Sequence, residues 1–270
     1  MNIGVFDSGF GGLTVLRALL DRMPGANYTY LGDTARLPYG AKSQATVARY
    51  AVSSAHFLVE QQKADYLVIA CNTASALALD AIRDAVTVPV LGVIETGANA
   101  AQASTRTGDV LVMATAATVE SHAYSAACHE RGLRAIEKAA SLLVPLVEEG
   151  WVDHPVTDEV LRIYLSELLE ESTRTAIQPD TLVLGCTHYP ILRANIERAL
   201  PASIRVIDSA EATAAQVAAA LCLPDTPCNP DGKPHTRRFY ATDSVSKFRN
   251  LGTRFLGQQI EQVELIDLGG

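Results

Sequence analysis

The chain is predicted to be an α/β protein of two similar lobes, each a mainly parallel β-sheet flanked by helices. Three observations lead there. Short β-branched runs alternate with helical patterns along almost all of the 270 residues, and alternation at that pace means βαβ units and parallel strands. The segment Tyr66-Leu67-Val68-Ile69-Ala70-Cys71-Asn72-Thr73-Ala74 is echoed by Thr181-Leu182-Val183-Leu184-Gly185-Cys186-Thr187-His188-Tyr189. Each is an apolar strand, a small residue, a cysteine, two polar residues and then a helix. The two cysteines stand 115 positions apart (71 and 186), close to half the chain. Finally, 48% of the residues are hydrophobic but only 6% aromatic, and an Ala, Leu and Val majority suits close helix–sheet packing.

In chain order, strands are expected at 3–6, 28–31, 66–70, 88–93, 109–114, 181–185, 204–207 and 238–241. A helix over 43–62, capped by Ser43, keeps Val47, Tyr50, Ala51, Phe57 and Leu58 mostly on one face. The first lobe is expected over 1–97 plus 208–270 and the second over 98–207, with the crossing near 95–99 and the return near Asp208. Residues 221–235, rich in Pro, Asp and Asn, read as an exposed loop before a final strand and helix. In parallel sheets ligands bind outside the carboxyl ends of the strands, so the active site is expected there, in the cleft between the lobes.

The formal net charge is −8, which argues against a nucleic-acid or anionic-membrane partner. An anionic small molecule stays compatible, because backbone N–H groups and hydroxyls can hold it. No window approaches the roughly 18 apolar residues of a membrane span, and the first residues read as a strand instead of a signal peptide. Five cysteines without a CxxC pair suggest neither a disulfide framework nor a zinc site. Free thiols of this kind belong in the cytoplasm.

Cys71 and Cys186 each fall just past a strand and just before a helix, where the positive helix end lowers a thiol pKa from about 8.5. Either alone reads as a small core residue. Core cysteines, however, do not need Asn72-Thr73 after one and Thr187-His188 after the other. Cys128, within a helix, Cys222, at a helix end, and Cys228, in a polar loop, read as structural. Paired thiols suit racemisation, in which one thiolate removes a proton from one face of a carbon while the other thiol returns one to the opposite face. A cysteine hydrolase is a second reading. It needs a single cysteine with a histidine, and Cys186 with His188 fits, but Cys71 is then idle. A non-catalytic anion-binding or partner-binding protein is a third reading, which leaves Asp7, Glu148 and His188 without a task.

Asp7-Ser8-Gly9-Phe10-Gly11-Gly12 is a glycine-rich strand-to-helix turn that can cradle an anion. It reads equally as a tight turn with Asp7 capping the helix. Pro38-Tyr39-Gly40 is a further turn. Thr115 and Thr118 can bind a carboxylate or cap a helix. His188 has a structural reading beside its catalytic one. Glu148 and Glu149 end the apolar stretch 142–147 and read by default as a solvated acidic pair.

Taken together, Asp7-Ser8-Gly9-Phe10-Gly11-Gly12, Pro38-Tyr39-Gly40, Cys71-Asn72-Thr73-Ala74, Val144-Pro145-Leu146-Val147-Glu148, Cys186-Thr187-His188-Tyr189-Pro190 and Asp208-Ser209-Ala210 resemble the glutamate racemases of bacterial cell-wall synthesis. The match runs from Ile3 to about Val217. The resemblance implies cofactor-independent interconversion of L- and D-glutamate, with D-glutamate supplied to peptidoglycan. It makes Cys71 the base toward the D-enantiomer and Cys186 the base toward the L-enantiomer. Asp7 assists Cys71; His188 and Glu148 assist Cys186. Substrate contacts fall to Asp7, Ser8, Tyr39, Gly40, Asn72, Thr73, Thr115, Thr118, Thr187 and His188. No metal is implied, and members are usually dimers, so a homodimer is expected. Ala114, Ala140-Ser141 and Glu95-Thr96 depart from the family's usual residues, but none removes a catalytic group. The first strand starts almost at Met1, so the N-terminal extension that ties some members to activation by a peptidoglycan precursor is not expected.

Overall fold

In a computed structural model that describes residues 1–221 and 235–269, the chain divides into unit 1, residues 1–93 and 210–270, and unit 2, residues 94–209. The expectations for Cys222, Cys228 and most of the 221–235 loop lie outside the described residues.

Unit 1 carries β1 (Asn2–Asp7), β2 (Asn27–Gly32), β3 (Tyr66–Ile69) and β4 (Val90–Gly92). Unit 2 carries β5 (Asp109–Ala114), β6 (Arg134–Ala139), β7 (Thr181–Gly185) and β8 (Arg205–Asp208). The chain then returns to unit 1 for β9 (Arg237–Ala241) and the two-residue β10 (Glu264–Leu265). The sheet orders are β10-β9-β2-β1-β3-β4 and β6-β5-β7-β8, and every pairing is parallel. Four strands of unit 1 and all four of unit 2 therefore follow one plan: second, first, third, fourth. The sequence echo is a structural repeat, with β3 and β7 in equivalent places.

Helices cover the sheets as parallel connections require. In unit 1 they are α1 (Leu13–Arg22), α2 (Gln44–His56) and α3 (Asn72–Ala85). Helix α4 (Val93–Ser104) opens at the division between the units. Unit 2 has α5 (Ala116–Glu120), α6 (Ala123–His129), α7 (Leu143–Glu148), α8 (Pro155–Arg174) and α9 (Arg193–Ala199). Helices α10 (Ala210–Leu221) and α11 (Val245–Leu256) return to unit 1.

Strands β3, β5 and β7 are buried along their whole length, as continuous apolar runs in covered parallel sheets should be. Ser43 caps α2 by accepting from Thr46 N–H. The expected 43–62 helix is regular only to His56 and continues as a π-helical turn, Phe57–Gln61. Val47, Ala51, Ala55 and Leu58 of this segment share a core with Ala74, Ala78 and Ile82 of α3. Burying a larger apolar side chain there stabilises the fold by about 1.5–3 kcal/mol.

Sequence expectations change at sheet edges, where the short β10 is also an unexpected strand. Strand β4 begins only at Val90 because Pro89 has no N–H to offer a ladder, and Val93 already belongs to α4. Strand β6 was not expected. It is an edge strand carrying Arg134, Glu137 and Lys138, the charged pattern that protects open edges and hides them from an apolar-run search. No described helix is long and apolar enough to cross a membrane.

Candidate active site

In unit 1 the candidate residues gather where β1, β2 and β3 end. Asp7, the last residue of β1, is buried, and its Oδ2 accepts from Gly9 N–H at 2.8 Å. The carboxylate thus closes the β1–α1 turn. It does not act as the helix cap considered from sequence, since Gly12 holds that position without a side-chain cap bond. Glycine is needed at 12: a Cβ there would lie 2.5 Å from Asp7 Cβ and 2.9 Å from Ala70 Cβ.

Cys71 is the N-cap of α3, and its Sγ accepts from Ala74 N–H at 3.4 Å. The same thiol donates to Ser8 Oγ at 3.5 Å. Asn72 and Thr73 follow as buried residues in the first turn of α3. Tyr39 is buried and donates to Asp33 Oδ2 at 2.5 Å, while Gly40 beside it is half-buried. Asp33 also accepts from Arg36 Nε and from the Thr242 hydroxyl, and its own N–H donates to Asp7 O at 3.0 Å. The Pro38-Tyr39-Gly40 turn is thereby anchored to the end of β1.

The sequence expectation of a lowered thiol pKa is overturned at Cys71. Burial first, and then the neighbouring Asp7, push it up to about 12, against the bonds from Ser8 and Ala74. The helix end and its N–H groups act in the expected direction but are outweighed by desolvation.

In unit 2 the candidates meet at the ends of β5 and β7. Cys186 follows β7 directly and is buried with Thr187 and His188. No α-helix begins behind it: a 3₁₀ turn, Tyr189–Leu192, intervenes, and α9 starts only at Arg193. The helix end expected from sequence is therefore absent at this cysteine, and an imidazole takes its place. His188 Nδ1 lies 3.9 Å from Cys186 Sγ, and Nε2 lies 3.2 Å from Glu148 Oε1. Glu148 ends α7 and its side chain is only 14% exposed, so it is not half of a solvated pair; Glu149 alone is exposed. Burial by itself would lower the His188 pKa, but the bonds to Cys186 and Glu148 carry it to about 10. His188 is thus an imidazolium at neutral pH, donating from both nitrogens.

Thr115 occupies the N-cap position of α5 without a side-chain cap bond, and its hydroxyl meets that of buried Thr118 at 2.9 Å. Two adjoining hydroxyls at a strand end suit a carboxylate. Cys128 is a buried thiol within α6. Among the described residues, no group of three His, Cys, Asp or Glu side chains could hold a metal ion. Sequence reasoning missed Asp33. It stands one motif upstream of Pro38-Tyr39-Gly40, but nothing local signals that the Tyr39 hydroxyl reaches back to it.

The family model described as Asp/Glu/hydantoin racemase matches residues 13–217. The chain is 50% identical to the glutamate racemase of Koribacter versatilis, over 99% of this chain and 98% of that protein. It is 46% identical to that of Syntrophus aciditrophicus, over 98% and 96%. It is also similar to the crystal structure of glutamate racemase from Francisella tularensis in complex with D-glutamate. There the TM-score is 0.89 and the identity 35%, over 99% of this chain and 97% of that one.

Proposed function

Given that the chain belongs to the Asp/Glu/hydantoin racemase family and is an amino-acid racemase, we propose that it interconverts L- and D-glutamate with Cys71 and Cys186 as its two bases. One observation carries the reading. Each of the two repeats ends its third strand, β3 or β7, in a buried thiol with its own acidic partner system: Asp7 near Cys71, and His188 with Glu148 near Cys186.

In the L-to-D direction the Cys186 thiolate takes the α-proton, and the Cys71 thiol gives a proton to the opposite face. The enzyme is left with a Cys186 thiol and a Cys71 thiolate, the form that accepts D-glutamate. The α-proton of an amino acid is a very weak acid, so developing charge on the substrate needs aimed donors and little water. Ser8, Asn72, Thr73 and Thr187, with the Thr115–Thr118 hydroxyl pair and the Tyr39-Gly40 turn, are the groups offered for the two carboxylates and the ammonium. His188, held as a cation beside the Cys186 sulfur, is suited to pair with a substrate carboxylate. The family resemblance extends the proposal to a cytoplasmic homodimer that supplies D-glutamate for peptidoglycan.

Protein stripped of pyridoxal phosphate and placed in D₂O should put deuterium on the α-carbon of either glutamate enantiomer, and not of aspartate. Cys71→Ala and Cys186→Ala should each abolish racemisation. Loss at one position alone rejects the two-base scheme; a cysteine hydrolase would survive Cys71→Ser.

A further inference from the structure

Tyr189 follows His188 directly, and its side chain is wholly buried. Its hydroxyl lies within hydrogen-bonding distance of two backbone carbonyls, Ala140 O at 2.9 Å and Ala114 O at 3.1 Å, and shares its one proton between them. Its own N–H closes a turn onto Cys186 O at 3.2 Å. Ala114 O also accepts from Ala140 N–H at 2.9 Å, so the joint is tight. One side chain thereby ties three loops of unit 2. The first follows β5 and carries Thr115 and Thr118. The second leads into α7, which ends at Glu148. The third carries Cys186, Thr187 and His188.

We infer that Tyr189 is a positioning residue for proton transfer at Cys186, holding the thiol, His188 and Glu148 in line without touching the substrate. This rests on the two-thiol reading above. Burial holds the phenol far above its ordinary range, so it stays a donor at working pH. Without that hydroxyl both buried carbonyls keep a backbone donor, Ala140 N–H for Ala114 O and Leu143 N–H for Ala140 O, but the bond that ties them to the Cys186 loop is gone and that loop is freed to shift. A misplacement on the order of 1 Å in such a site costs up to roughly a hundredfold in rate.

Tyr189→Phe keeps the ring and removes only the hydroxyl. Tyr28→Phe is the control: the Tyr28 hydroxyl also shares its proton between two carbonyls, Leu19 O and Met23 O, both at 2.9 Å, but at the amino-terminal end of the unit 1 sheet. The enantiomers are equal in energy, so kcat/KM must fall equally in both directions, and rate alone does not locate the damage. The α-deuterium isotope effect on kcat/KM does. In Tyr189→Phe, kcat/KM should fall roughly ten- to a hundredfold. The isotope effect should rise with α-deuterated L-glutamate, whose label crosses at Cys186. It should fall with α-deuterated D-glutamate, whose label leaves to Cys71 before the slowed step.

Tyr28→Phe should lose comparable thermal stability with both isotope effects at wild-type values. Ser141→Ala cuts the exposed bond from Ala116 N–H, 3.1 Å, between two of the same loops. It should show the same asymmetry in smaller measure, and it decides the matter if Tyr189→Phe does not fold. Isotope effects that stay at wild-type values, or move together for both enantiomers, overturn the inference. A wild-type protein that exchanges no α-hydrogen ends the two-thiol reading instead.

Discussion

His188 Nε2 stands 3.2 Å from Glu148 Oε1, and both side chains are largely withdrawn from solvent. The contact decides the charge of the imidazole, because a carboxylate on one nitrogen and a sulfur on the other outweigh the burial that disfavours a cation. His188 is therefore suited to partner an anion and unsuited to abstract a proton. In the proposed reaction the thiol is then the base on this side.

Glu148→Gln keeps a hydrogen-bond acceptor at His188 but removes the charge. The His188 pKa should drop from about 10, as read by imidazole NMR titration. The alkaline limit of activity should move down with it, and kcat/KM should fall by about tenfold or more. An unchanged His188 titration would refute the role given to Glu148.

The same pair gives stability a pH dependence of defined sign. The folded-state pKa of His188, about 10, lies above its unfolded value. Its contribution is thus complete below about pH 6.5 and is lost as pH rises through about 10, with a slope of at most about 1.4 kcal/mol per pH unit. Urea unfolding of wild type and His188→Gln should show the difference between them shrinking across that window. A difference that grows with pH is incompatible with a raised pKa.

Asp7→Asn should move two quantities in opposite directions. Burial and then the Asp7 charge hold Cys71 near 12, so the thiol should titrate lower in the variant, as followed by thiolate absorbance. Racemisation should nonetheless slow by about ten- to a hundredfold, because the turn bond from Gly9 and the proposed acid–base partner of Cys71 are weakened. A faster enzyme would remove Asp7 from the catalytic set.

Gly12→Ala inserts a methyl group 2.5 Å from Asp7 Cβ. It should destabilise the protein by about 1–3 kcal/mol, measured by thermal unfolding, and displace Asp7 enough to lower activity. An alanine variant with wild-type stability would show that the turn is looser than its packing implies.

How much was readable in advance follows the range of the forces involved. Strands 109–114 and 181–185 were placed to the residue, because a strand covered on both faces is a plain apolar run. Strand β6 was missed, since at an edge the ladder tolerates Arg134, Glu137 and Lys138. The helix expected behind Cys186 was misplaced because Pro190 and a 3₁₀ turn delay it to Arg193. The stretch around Glu148 reads by itself as solvated, because nothing in it points to a histidine forty positions away, and only the family resemblance sets Glu148 beside His188.

The amino-acid order alone was enough to establish the α/β class and the repeated strand–cysteine unit, and to nominate the groups proposed to move a proton. All of these depend on neighbours within one strand and turn. Tertiary structure alone decided that Cys71 is held as a neutral thiol, that His188 is held as a cation and that Tyr189 ties three loops. Charge state depends on desolvation and on distances of a few ångströms between groups, and those distances exist only once remote parts of the chain have packed together.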